Sequence, residues 1–247
     1  MQRYILENKE LSREDKHHIQ KVMRMKTGDR VIICHGGICH LVSLNIDKDV
    51  TYDIIETYEN EKKYSLTLFQ GLPKASKIET TIKYASMFGV DEIVITQMDR
   101  SENKYDYVVN KKDRFKTIAK EASELAHRFT SPNIEFIKSI KYMNDDFDMI
   151  ILADEEALGI NIFDLEFNLA SGQKIAIVIG PEGGISDLER SYLKDKGAKI
   201  ITLGNYILAS EIAVLPILSY FLTKWHFFSW KSVKNINFFW QSYVNHI

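Results

Sequence analysis

Residues 174–204 leave a polypeptide few ways to fold. KIAIVI (174–179) is a short, uninterrupted run of mostly β-favouring apolar residues, the pattern of a strand buried on both faces in a parallel sheet. GPEGG follows, in which Gly180, Gly183 and Gly184 free the backbone and Pro181 ends the strand ladder. Ser186 and Glu189 have capping-box spacing, so a helix is predicted from Asp187 to about Lys196, with Gly197 as its left-handed terminator. A second strand is predicted over 199–203, stopping at Gly204. The two strands are expected to be adjacent. Their loops would then bring backbone amides and carbonyls to one place, where open α/β sheets carry ligands.

The first loop is not built for phosphate. Glu182 stands where a phosphate-cradling loop carries Lys, and no GK[ST] follows. A carboxylate suits a neutral or cationic small molecule better. An ordinary strand-turn-helix link can hold one glycine-rich turn, but two such loops and an acidic residue favour a site.

The rest of the chain divides in two. From Leu72 the pattern alternates: helix 78–88, strand 92–96, helix 112–128, strands 134–137 and 149–153, and a last helix from about Ser210. Such alternation predicts an α/β domain with a mostly parallel sheet. Before it, a basic helix and short β-rich runs at 30–34, 38–44, 51–57 and 64–69 predict a small β-barrel, with 59–63 as a hairpin loop. The expected domains are 1–70 and 71–224, followed by an extension over 225–247. That extension holds Trp225, Trp230 and Trp240 with Phe227, Phe228, Phe238, Phe239 and Tyr243, a composition open to three readings: cover for a dimer surface, a membrane-surface segment with only Lys231 and Lys234 as anchors, or a non-adaptive extension of the reading frame.

A net charge of −2 gives no global pull toward nucleic acid, so RNA binding would need local patches. Ser12 and Asp15 start a helix carrying Arg13, Lys16, His17, Lys21, Arg24 and Lys26, with Ile19, Val22 and Met23 able to face a core. Lys111, Lys112, Arg114, Lys116 and Lys120 form a second basic cluster. A solvated helix face carries the same pattern. Gly36-Gly37 predicts a two-residue turn that pairs Cys34 with Cys39 on one face and turns His35 and His40 to the other, which disfavours zinc. Unbonded thiols in a reducing cytoplasm are expected. The longest apolar run, 212–222, is about half a membrane span and contains Pro216. With no apolar signal region at the N-terminus, a cytoplasmic location and no membrane partner are expected.

IGPEGGISDLE (179–189) followed by LGNYILASEIA (203–213) resembles the SPOUT-class RNA methyltransferases, specifically the 16S ribosomal RNA uridine-N3 methyltransferase family. MQRYIL, HHIQKVMRMKTGD (17–29), LPK (72–74), GVDEI (89–93), Arg100-Ser101, EASE (121–124) and Arg128 fit in the same order, so the resemblance covers about residues 1–224. The chain departs from the family pattern at several positions. Ala209 and Ser210 stand for Arg and Thr, Ile212 for a second Thr, Leu125 for Gln, and Met87 and Phe88 for Glu and Leu. The resemblance implies a PUA-like N-terminal domain and a C-terminal SPOUT domain whose last segment tucks through a preceding loop in a trefoil knot. It also implies a homodimer, S-adenosylmethionine as cofactor, and ribosomal RNA or the small ribosomal subunit as partner. Both basic clusters become candidate phosphate contacts.

Methylating uridine N3 requires in-line positioning of the base, loss of the N3 proton and stabilisation of the resulting anion. Arg100 and Arg128 are the candidate anion stabilisers. Ser210 is a neutral donor, and Glu211 or Glu182 are proton acceptors. Cofactor contacts are expected from Gly180, Glu182, Gly183 and Gly184 and from Leu203, Gly204, Ile207 and Leu208, the last two against adenine. No metal is expected, because a sulfonium methyl is already activated. The departures leave two other readings open: a SPOUT protein with a changed RNA target, or a non-catalytic RNA-binding or ribosome-assembly protein.

Overall fold

A computed structural model of the chain describes residues 1–156 and 160–232, in two sheets. In the first, β1 (Arg3–Ile5) pairs in parallel with β2 (Arg30–His35), which continues antiparallel into β3 (Ile38–Ile46) and β4 (Val50–Glu59). Gly36 and Gly37 both take positive φ, as the tight turn between β2 and β3 requires. Between β1 and β2, α1 (Arg13–His17) starts at the capping box of Ser12 and Asp15 and runs on into a π-helical turn over 18–22. Ile19 is buried there, but Val22 and Met23 are exposed, against expectation. The wider π turn shifts those later positions off the face that Ile19 occupies.

Cys34 and Cys39 lie directly opposite each other across the hairpin, and their sulfurs are bonded at 2.00 Å. The expectation of free thiols therefore fails. Opposite positions on one face bring the sulfurs together, in a pocket shared with Ile5 and Ile32. His35 and His40 face elsewhere, toward the Leu6 carbonyl and the Thr57 hydroxyl.

The run expected as the last strand of this domain belongs to the other sheet. β5 (Ser65–Gly71) pairs in parallel with strands of the second sheet and is buried along almost its whole length, as a central parallel strand is. The 59–63 stretch is accordingly the crossing between sheets and not a hairpin loop.

The second unit continues with α2 (Ala75–Met87), β6 (Glu92–Thr96), α3 (Tyr105–Val109), α4 (Lys112–Leu125), β7 (Asn133–Ile137) and β8 (Met149–Ala153). Then come β9 (Lys174–Ile179), α5 (Asp187–Asp195), β10 (Lys199–Ile201) and α6 (Leu215–Ser232). The sheet order is β10-β8-β9-β5-β6-β7, and every pair is parallel. β9 and β10, expected to be neighbours, are separated by β8. Two helix limits also differ from expectation. α4 stops before His127, which adopts φ +56°, and α6 begins at Leu215, so that Pro216 falls in its first turn, where a missing N–H costs nothing.

Side-chain alternation along β9 builds two cores. Ile175, Ile177 and Ile179 pack with Ile78, Ile82, Phe115, Ile217, Leu218 and Phe221 from α2, α4 and α6, while Ala176 and Val178 pack with Leu193 of α5 and with Met98. Val214, Ile217, Leu218 and Phe221 recur at helical spacing, and all are fully or nearly fully buried. Burying each such large side chain contributes about 1.5–3 kcal/mol. This pins the C-terminal helix, and with it the loop before it, to the sheet. Of the aromatic extension, Phe238, Phe239, Trp240 and Tyr243 lie outside the described residues.

Candidate functional site

The C-terminal ends of β8, β9 and β10 open onto a cleft of about 510 Å3. Its walls come from Asp154 and Glu155 after β8, residues 180–185 after β9, and residues 202–210 after β10. The insertion of β8 between the two predicted strands is what adds Asp154 and Glu155, which the sequence reading missed.

The first loop is held from behind. Glu182 turns its carboxylate away from a ligand role, accepting from the Lys74 backbone N–H at 3.0 Å at the start of α2 and lying 3.6 Å from Lys77 Nζ. Lys77 also pairs with Glu211 at 3.0 Å, so a single ammonium on α2 joins the two cleft loops. That approach is an ion pair without good hydrogen-bond geometry, since the buried Glu211 Oε2 finds no hydrogen-bond partner. Burial pushes the Glu211 carboxyl up, but its own backbone amide and Lys77 outweigh this and hold it below the usual carboxylate value. Pairing with the Glu211 carboxylate chiefly raises Lys77 above its ordinary value. A carboxylate stabilised in this way is a poor proton acceptor, which argues against Glu211 as the group that takes the N3 proton, while the Glu182 carboxylate is already engaged by the Lys74 amide and Lys77.

Ser210 is also occupied. Its hydroxyl donates to the Gly180 carbonyl at 2.9 Å and accepts from Gln70 Nε2 at 2.9 Å, and the residue is buried. It ties the loops to each other and to the end of β5 and offers no free proton to a substrate. Arg128, in the connection from α4 to β7, lies at the opposite end of the strands from the cleft, against the residues that precede β6. Its guanidinium donates to the carbonyls of Ser86 (2.8 Å) and Val90 (2.7 Å) and pairs with Asp91 at 3.4 Å, which overturns its expected role in the cleft.

Arg100 is the candidate that remains available. It is exposed, and its Nη1 donates to the Gly183 carbonyl at 3.3 Å. Gly180, Glu182, Gly184, Leu203, Gly204, Ile207 and Leu208, the candidate cofactor contacts, all line the cleft. Gly183 does not: a Cβ there would come within 2.9 Å of the Arg100 Cβ and carbonyl oxygen, so its lack of a side chain serves packing against Arg100. Gly184 has φ +74°. Leu203 and Leu208 pack against the core, whereas Ile207 is 84% exposed at the rim. Ala209, where the resembled family carries Arg, is exposed on the lining.

The lining suits an elongated, partly apolar ligand. Its volume falls within the roughly 300–1,000 Å3 range of small-molecule sites. Among the described residues, the backbone amides of Asn205, Tyr206, Ile207 and Leu208 have no acceptor within the chain, which leaves them free for a heterocycle's acceptors. Asp154 is buried and bound by Arg190, with Nε at 2.5 Å from its carboxylate.

The two basic clusters fare differently. Lys112 pairs with Glu135, Arg114 with Glu79, and Lys120 with Asp15 and Glu124, so most of the second cluster is spent within the chain. On the first, Lys16 pairs with Asp49, while Arg13, Lys21, Arg24 and Lys26 have no ion-pair partner among the described residues.

Comparison with known proteins follows this division. Residues 60–222 match the RNA methyltransferase domain family, and residues 11–49 match the RNA methyltransferase PUA domain. The ribosomal RNA small subunit methyltransferase E of Bacillus subtilis (strain 168) is 34% identical over 220 residues, covering 83% of this chain and 86% of the relative. A solved structure described as a hypothetical protein superposes with TM-score 0.75 at 30% identity, covering 89% of this chain and 96% of that one. The Neisseria gonorrhoeae ribosomal RNA small subunit methyltransferase E, solved with S-adenosyl methionine bound, superposes with TM-score 0.76 at 22% identity, covering 90% of this chain and 97% of that one.

Proposed function

This chain belongs to the ribosomal RNA small subunit methyltransferase E family, and on that premise we propose that it transfers a methyl group from S-adenosylmethionine to N3 of a uridine in small-subunit ribosomal RNA. The observation that carries the proposal is the convergence of the 180–185 and 202–210 loops on one cleft, tied by Ser210 and clamped by Lys77.

The cleft residues fit the cofactor. Free amides at 205–208 offer donors to an adenine, Leu203 and Leu208 offer apolar surface, and the glycine-rich loop allows close backbone approach. The bound cofactor supplies an activated methyl on a sulfonium, so no Lewis acid is required. Arg100, beside the first loop, is the group that stabilises negative charge spread over N3, O2 and O4 as the N3 proton leaves. The carboxylates Glu182, Glu211 and Asp154 are each engaged, so none of these three is free to take the proton.

We assign RNA binding to the N-terminal unit, residues up to about 59, with the unpaired Arg13, Lys21, Arg24 and Lys26 as phosphate contacts. Methyl transfer belongs to the unit from about 60 onward. We further propose, from the family resemblance, a knotted path for the last segment. Tyr206 and Ile207, 86% and 84% exposed at the cleft rim, support a homodimer that covers them. Among the described residues no helix is long and apolar enough to cross a membrane, and the proposed ribosomal substrate supports a cytoplasmic location.

The test is incubation of unmethylated small subunits, or their naked RNA, with methyl-tritiated cofactor, followed by nucleoside analysis. The proposal requires label in N3-methyluridine. Label in another nucleoside would favour a changed target, and RNA binding without label a non-catalytic protein.

A further inference from the structure

Four carboxylates stand in or against the cleft, and three are accounted for. Asp154 is held by Arg190, Glu182 caps the start of α2 beside Lys77, and Glu211 pairs with Lys77. Glu155 alone has no hydrogen-bond or ion-pair partner among the described residues. It is no stray surface group. Its Oε1 lies 3.3 Å from the position that a Cβ on Gly184 would occupy, and Arg100 Nη1 lies 3.6 Å from that same point. The bare backbone of Gly184, at φ +74°, thus leaves a space that a free carboxylate and a guanidinium both border.

We propose that Glu155 binds the α-ammonium group of the cofactor's amino-acid end. The inference rests on the cofactor assignment above and goes beyond it by naming the residue that reads this charge. S-adenosylmethionine carries two positive charges, on the sulfonium and on the ammonium. A carboxylate at the sulfonium would stabilise a charge that disappears as the methyl leaves, favouring the ground state over the transition state and slowing transfer. A carboxylate at the ammonium stabilises a charge that persists through the reaction, so affinity is gained without a kinetic cost. Arg100 is left for the anion that develops on the base.

The choice of position has a direct test. Wild-type protein and Glu155→Gln are titrated calorimetrically with S-adenosylmethionine, S-adenosylhomocysteine and 5′-methylthioadenosine, which lacks the amino-acid end. A charge-assisted contact to the ammonium predicts that Glu155→Gln weakens the first two ligands alike, by about tenfold or more, and leaves the third unchanged. Weakening of S-adenosylmethionine alone would move the carboxylate to the sulfonium and overturn the inference. Equal weakening of all three ligands, or of none, would also overturn it. Failure of wild-type protein to bind any of them would instead overturn the cofactor assignment itself.

Discussion

The Ser210 hydroxyl donates to the Gly180 carbonyl at 2.9 Å, so a side chain from one cleft loop holds the backbone of the other. Gln70, at the end of the central strand β5, donates to the same hydroxyl. Ser210→Ala removes both bonds and is expected to cost about 1–2 kcal/mol in urea unfolding, with a several-fold weaker cofactor. Normal stability and affinity with slow methyl transfer would return Ser210 to the role of donor to the base.

The Lys77–Glu211 pair should leave a pH signature. Glu211 is held below its ordinary pKa, so its contribution to stability is full above the unfolded value near about 4.3 and is lost as pH falls through the lower folded value. The difference in unfolding midpoint between wild type and Glu211→Gln is therefore expected to be flat above about pH 5 and to shrink in more acidic solution. A difference independent of pH would mean that the pair contributes nothing.

Gly183→Val distinguishes packing from ligand contact. The added Cβ would press on the Arg100 Cβ and carbonyl oxygen, each 2.9 Å away, so the free protein should lose about 1–3 kcal/mol of stability along with cofactor affinity. Lost affinity at unchanged stability would put Gly183 against the ligand, as the sequence alone implied.

Arg128→Met should behave as a structural lesion. The side chain is 11% exposed and satisfies two carbonyls and Asp91. Its loss is expected to cost about 3 kcal/mol, while the folded fraction keeps wild-type cofactor affinity. Normal stability with a collapse in turnover would reinstate it as a catalytic group.

Local chemistry made parts of this fold readable. The Ser186 and Glu189 capping box fixes the start of α5, and the apolar runs at 92–96, 149–153 and 174–179 are strands with those bounds. Non-local pairing was not readable. Nothing in MIILA shows that β8 enters between β9 and β10, so Asp154 and Glu155 were missed, although two carboxylates directly after a buried strand are a usable signal. Lys77 was missed because both its partners arrive from distant loops. β5 was put in the wrong sheet because Ser65, Leu66, Thr67 and Leu68 alternate polar and apolar like a half-exposed strand, whereas the structure buries almost its whole length as a parallel interior strand. Arg128 was misplaced because a motif says nothing of which end of the strands a side chain occupies.

The most direct test of the cleft is calorimetric titration of the purified protein with S-adenosylmethionine, run beside Ser210→Ala. The account predicts saturable one-site binding by the wild type, displaced by S-adenosylhomocysteine and weakened in the variant. A folded wild-type protein that neither binds the cofactor nor is stabilised by it in thermal unfolding would contradict the account.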